Sequence, residues 1–263
     1  PATLVRVTVA VPAATVTLVR DAPHGLEVLM LQRSMALKFM PGAHVFPGGA
    51  LDPGDDAPEL RALCVGRDDS SASSALGLTR GGLAYWIAAI REAFEEAGIL
   101  LASDARGRCV TRGGAAAARS GARRGAVGRN PGACAAPARA EGRRVPTDRL
   151  LYSGHWTPPV SVPRRYDTRF FLAVAPAGQE AQHDNHETTA HMWMRPQEAL
   201  DLCAKEMLNM RFPTIKTLER FTACSTTAQL VAEISSAPAV QARLPRVTAD
   251  GRTVLPGEPG YDS

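Results

Sequence analysis

The stretch Arg91-Glu-Ala-Phe-Glu-Glu-Ala-Gly-Ile99 carries the most chemistry per residue in the chain. In a helix, at about 100° per residue, Glu92, Glu95 and Glu96 fall within roughly one 100° arc. Ile87, Ile90, Phe94, Ala97 and Leu101 gather on the opposite side and can anchor such a helix in a core. Arg91 sits four residues before Glu95 and can orient it as an i,i+4 pair. Carboxylates this close repel unless something positive lies among them, and hard divalent cations prefer oxygen ligands. Taken alone, a helix of this kind reads as a solvated charged face. A second group stands on the loop Arg33–Gly49, punctuated by Pro41, Gly42, Pro47, Gly48 and Gly49. Its cations, Arg33 and Lys38, suit a ligand that bears phosphate.

The context of these residues changes the reading. The spacing Arg-Glu-x-x-Glu-Glu-x-Gly-aliphatic, preceded by Pro47-Gly-Gly49, resembles the Nudix box. Gly49 is its opening glycine and Arg91–Ile99 its helical half. The position of the first acid holds Asp55, and 35 residues separate it from Arg91 where the motif has seven, so no role is carried over to Asp55. The preceding run, Leu29-Met-Leu-Gln-Arg-Ser34, then Lys38, Gly42 and Phe46-Pro-Gly-Gly49, is similar to the signature of coenzyme A diphosphatases within that superfamily. Leu31 and Lys38 replace the signature's Thr and Arg. The long insertion within the box looks like the peroxisomal branch of those enzymes and its bacterial relatives. The resemblance implies a metal site of Glu92, Glu95 and Glu96, helped by the Gly49 carbonyl. It implies that Arg33, Ser34 and Lys38 face the nucleotide and its 3′-phosphate, and it implies Mg²⁺ or Mn²⁺ as cofactor. Glu187 is the candidate general base, because Nudix enzymes often carry a further glutamate just before the strand that precedes the last helix; Glu92 competes for that role.

Other candidates are bland. His183, His186 and His191 are irregularly spaced with no cysteine among them, and read as solvent-exposed loop histidines. Trp156 and Tyr166 read as packing groups. Neither a P-loop nor a G-x-S-x-G elbow is present.

These residues need a scaffold. Ala14–Val19 and Leu26–Leu31 read as a β-hairpin around Asp21–Gly25, with a short strand at His44–Phe46. Asp52–Arg80 reads as a surface excursion, and a helix is expected over about Leu83–Leu101. Strands at Asp167–Val174 and Ala190–Met194 and helices at Pro196–Met207 and Pro213–Phe221 complete the pattern. The tail from Ala237 has little core potential and is expected to lie on the surface or be loose.

The net charge of +4 invites a nucleic-acid reading, but its distribution opposes one. Ala105–Val145 holds ten arginines and one acid; without that +9 the rest of the chain stands at −5. Of the 41 residues in this run, 30 are Ala, Gly or Arg, too little apolar material to offset chain entropy. It reads as a disordered insert, although a shifted reading frame in a GC-rich gene would leave the same trace. Five scattered cysteines argue against a disulfide framework. No apolar run reaches the length of a membrane helix, and Pro1–Ala14 makes a poor signal peptide, so a cytoplasmic location is expected.

The expectation is one Nudix domain over 1–236, an α/β/α sandwich around a mixed curved sheet. It carries an irregular box insertion at about 52–82, the insert at 105–145, and a tail at 237–263. The expected activity is hydrolysis of a small-molecule diphosphate, coenzyme A or an acyl-CoA first. ADP-ribose or a dinucleotide is the second reading, and a nucleotide-sensing domain the non-enzymatic one. No nucleic-acid or membrane partner is expected, and a homodimer is left open.

Overall fold

The computed structural model describes residues 9–111, 135–159, 165–248 and 250–261. Strand β1 (Val11–Ala22) turns through Pro23 and His24 into β2 (Gly25–Arg33), where Gly25 takes a φ of 114° that favours glycine. Short strands β3 (His44–Val45) and β4 (Gly48–Ala50) follow, then helix α1 (Pro58–Arg61), β5 (Cys64–Val65), α2 (Asp69–Leu76) and the long α3 (Leu83–Ala97). After α4 (Ala135–Ala140) and β6 (Val145–Pro146) come β7 (Leu151–Trp156), β8 (Tyr166–Val174) and β9 (Thr188–Met194). Helices α5 (Pro196–Ala204), α6 (Phe212–Phe221) and α7 (Thr227–Ser236) precede the small strands β10 (Ala242–Arg243), β11 (Arg246–Val247) and β12 (Thr253–Val254).

Eight strands make the main sheet, ordered β10-β7-β8-β1-β2-β3, with β4 also on β1 and β9 also on β2. The sheet is mixed: β1 runs parallel to β8 and antiparallel to β2 and β4. Side chains alternate between two cores, as the strand period of two requires. Val16, Leu18, Leu29, Leu31, Phe171 and Ala173 face α3, while Val19, Val28, Met30, Phe170 and Leu172 face α5, α6 and α7. The result is the expected α/β/α sandwich.

Several elements differ from the sequence reading. Helix α3 stops at Ala97 instead of Leu101, because Gly98 turns left-handed at φ 67° and caps it with a bond to the Phe94 carbonyl. The segment read as a surface excursion folds into a 3-10 turn at Pro53–Asp56, α1, β5 and α2. Its polar residues are caps: Asp52 accepts from the Gly54 N–H and Asp68 from the Ser71 N–H. Its apolar residues, Leu60, Leu63, Ala72 and Leu76, join the core of α3. Thirteen of the fifteen residues of α3 are consequently buried, so the helix is a covered element and not a half-solvated one.

Of the Ala105–Val145 run, residues 112–134 lie outside the described residues, so the disordered-insert reading is not tested there. Its described ends are built in: Val110 is buried, Ser103 bridges to Cys109 and Arg144, and β6 pairs with β5. The tail adds β10 to the sheet edge beside β7, closes the β11–β12 hairpin and buries Val254. Strand β7 and helix α7 were not anticipated from the sequence. Among the described residues no helix is long and apolar enough to cross a membrane.

Candidate active site

The last two turns of α3 carry Glu92, Glu95 and Glu96 against the Gly48–Gly49 loop. Glu92 and Glu96 are only 6% and 5% exposed. Gly48 N–H donates to Glu96 Oε2 at 3.0 Å. A Cβ on Gly49 would stand 2.3 Å from Glu92 Oε1, so any side chain there would displace the carboxylate. The two glycines let the chain pass close enough to the helix for backbone to reach carboxylate.

Arg91 organises the cluster. Its guanidinium grips Asp55 with two bonds, Nε to Oδ1 at 2.8 Å and Nη2 to Oδ2 at 3.0 Å. It also donates to Glu92 Oε1 at 2.7 Å, Glu95 Oε2 at 3.1 Å and the Ala50 carbonyl at 3.0 Å. The i,i+4 pair with Glu95 is present as expected. Asp55, set aside because of the insertion, is fully buried and is the bidentate partner of Arg91. Burial works against a charged guanidinium, but these acids outweigh it and raise the Arg91 pKa. One guanidinium serves Asp55, Glu92 and Glu95, and Glu96 stands beside them. Burial, above all, pushes Glu92 up to about 7. It also raises Glu95, and it raises Glu96 further, with the Glu92 charge adding to the effect.

Such crowded, oxygen-only donors, with a glycine cradle on one side, fit a hard divalent cation. Among the described residues no three side chains already stand as a ligand set, since Arg91 holds the Glu92 and Glu95 oxygens.

The glutamates open on a cleft of about 1250 Å³. Arg33 and Lys38 line it; Arg33 Nε donates to the Phe39 carbonyl at 3.3 Å, and Lys38 is exposed. Ser34 is not among the lining residues, and its hydroxyl accepts from the Ala36 N–H at 3.2 Å. Glu187 is exposed and lines the cleft. The β2–β9 pairing sets Arg33 opposite Thr188, and Ser34 N–H donates to the Glu187 carbonyl at 2.8 Å. The Glu187 loop is held by Asp184, whose carboxylate accepts the N–H groups of His186, Glu187 and Thr188.

The histidines are not uniformly exposed. His186 is, but His183 and His191 are half-buried with their Nδ1 atoms 2.8 Å apart, because His191 lies on β9. Trp156 and Tyr166 pack, against Phe212 and Phe39 respectively, and both also edge the cleft. The sequence reading missed Arg211 and Thr214 at the start of α6, and Pro245, Val247 and Thr253 of the tail, all lining the cleft. Only Asp55 had left a signal, its spacing from Gly49.

Residues 66–221 match the family model described as the NUDT19 Nudix domain. The acyl-coenzyme A diphosphatase NUDT19 of Gallus gallus is 34% identical over 220 residues, covering 68% of this chain and 56% of that protein. Its Homo sapiens counterpart is 28% identical over 217 residues, covering 67% and 55%. The chain thus spans about half the length of the curated relatives it matches. A crystal structure of a Nudix hydrolase from Alicyclobacillus acidocaldarius superposes with a TM-score of 0.72 at 28% identity, covering 88% of this chain and 99% of that one.

Proposed function

The chain belongs to the NUDT19 Nudix domain family, and from that premise we propose that it is a divalent-metal-dependent diphosphatase of coenzyme A or an acyl-CoA. The products would be phosphopantetheine and adenosine 3′,5′-bisphosphate. The observation that carries this reading is the set of buried carboxylates pressed on Gly48–Gly49 at the mouth of a cleft large enough for a nucleotide-sized ligand.

Glu92, Glu95, Glu96 and the Gly49 carbonyl would hold Mg²⁺ or Mn²⁺. When bound, the cation neutralises phosphate oxygens and makes water more acidic. The residues of the chain do the rest. Arg91 and Asp55 fix the direction of the glutamates. Arg33 and Lys38 meet the anionic substrate, and Ser34 contributes by fixing the turn between them. Water attacks one phosphorus, the bridging P–O bond breaks, and the proton of the water passes to a carboxylate. Glu187 takes that role in this reading, supported by its exposure in the cleft on a loop braced by Asp184, whereas Glu92 is enclosed and held by Arg91. A base must come within hydrogen-bond reach of the water, and a carboxylate committed to a ligand set is less free to do so.

The test is a hydrolysis panel of CoA, an acyl-CoA, ADP-ribose, NADH and a diadenosine polyphosphate with Mg²⁺ or Mn²⁺, run on wild type, Glu96→Gln and Glu187→Gln. CoA or acyl-CoA should be turned over fastest. Glu96→Gln should lose activity by about 10²-fold or more, and Glu187→Gln should also lose the acidic limb of the pH profile. Preference for ADP-ribose would redirect the substrate assignment. Full activity in Glu96→Gln would remove the metal site, and an unchanged profile in Glu187→Gln would pass the base role to Glu92.

A further inference from the structure

The cleft holds more positive charge than its carboxylate end uses. Arg91 is committed to Asp55, Glu92 and Glu95, and Arg33 gives its Nε to the Phe39 carbonyl. Arg211 and Lys38 line the same cleft, are exposed, and have no ion-pair or hydrogen-bond partner for their side chains among the described residues.

Arg211 is the N-cap of α6, a ten-residue helix that starts at Phe212 with no side-chain cap. Ser, Thr, Asp or Asn at that position would satisfy the first-turn N–H groups; arginine offers no acceptor. The Ile215 N–H bonds back to the Arg211 carbonyl, and Pro213 has no N–H to place. The N–H groups of Phe212 and Thr214 therefore stay available at the positive end of the helix dipole. Thr214 adds a second observation. It is 6% exposed and lines the cleft, yet its hydroxyl has no hydrogen-bond partner among the described residues. The Thr214 hydroxyl opens on the cleft and is not sealed in the core, and an unpartnered donor on a largely buried side chain, beside a helix N-terminus and an arginine, is what an anion completes.

The helix start is pinned to β3 by paired backbone. His44 N–H donates to the Asn209 carbonyl at 2.7 Å, and the Asn209 N–H donates back to His44 Nδ1 at 3.2 Å. His44 opens β3, which leads directly into Phe46-Pro-Gly-Gly49 and the glutamates. The position of Arg211 is thus tied to the carboxylate end through a few residues of paired backbone.

We propose that the start of α6, comprising Arg211, the N–H groups of Phe212 and Thr214, and the Thr214 hydroxyl, is a subsite for a phosphomonoester separate from the diphosphate being cleaved. Nearly two charges and three terminal acceptor oxygens on one phosphorus match this donor set better than either phosphorus of the diphosphate does, each with one charge and two terminal oxygens. On the CoA reading, on which the identity of the substrate rests, the group is the 3′-phosphate, which moves here from the Arg33–Lys38 loop expected from the sequence, where Ser34 does not line the cleft, and the subsite separates CoA from dephosphorylated analogues.

The test is calorimetric binding of adenosine 3′,5′-bisphosphate and of AMP to the full chain with Mg²⁺. Wild type should prefer the bisphosphate by about tenfold or more, and Arg211→Gln and Thr214→Val should each cut that preference to about threefold or less. Thr214→Ser, which keeps the hydroxyl, should restore it. A wild type without preference, or an Arg211→Gln protein that keeps it, overturns the subsite. A preference that depends on Arg211 in a protein that fails to hydrolyse CoA would keep the subsite and reject the substrate reading.

Discussion

At the residue scale, the decisive feature is the imbalance around Arg91. Glu92, Glu95 and Glu96 are all pushed above the ordinary carboxylate range, chiefly by burial, with Glu92 at about 7. The folded chain therefore holds these protons more tightly than the unfolded chain does. Their contribution to stability is complete below the ordinary glutamate range and is lost as pH rises toward about 7. On the proposed metal site, a divalent cation would replace the protons and cancel the loss. In chelator, the melting temperature should accordingly fall between about pH 5 and pH 7 relative to the same protein in Mg²⁺. Thermal denaturation in both buffers across that range measures it; parallel curves would mean the glutamates bind neither protons nor metal in the way described.

At the element scale, the insertion between the two halves of the motif braces α3. Asp55 reaches Arg91 from a 3-10 turn whose own capping box, Asp52 with Asp55, fixes its geometry. Removing one member of a buried pair leaves the other uncompensated, at a cost of about 3–5 kcal/mol. Asp55→Ala should lose about that much in urea denaturation and should also lower turnover, since Arg91 would no longer be aimed. A loss below about 1 kcal/mol would show that the pair is not a brace.

The elements differ in how legible they were. The helix with Glu92, Glu95 and Glu96 was readable because its period and its motif agree, and the β1–β2 strands because their aliphatic runs flank a turn. The 52–82 segment was not: its leucines are too sparse for periodicity, and their burial depends on the far side of α3, a tertiary partner. The capping aspartates looked like loop composition for the same reason. Arg211 and Thr214 escaped notice because an arginine before Phe-Pro has no local signature, and only the fold brings it to the cleft.

At the scale of the whole molecule, the cleft is walled by segments from both ends of the chain. The tail contributes Pro245, Val247 and Thr253, while among its described residues the large contributions to the cores are Val254 and Leu255. Truncation after Ala237 should therefore leave a folded protein but remove one wall. KM for CoA should rise by about tenfold, equivalent to ~1.4 kcal/mol of binding, with kcat little changed. An unchanged KM would show that substrate does not touch the tail. The same sheet also sets the order in which the protein can come into being. β1 lies parallel to β8, with Val11 beside Tyr166 and Val19 beside Val174, so its partner is made long after it. The β1–β2 hairpin is made well before β8, apolar on both faces and with an open edge, and must wait. Closing so long a loop before any contact rewards it is slow, and the waiting edge is where a wrong strand could pair.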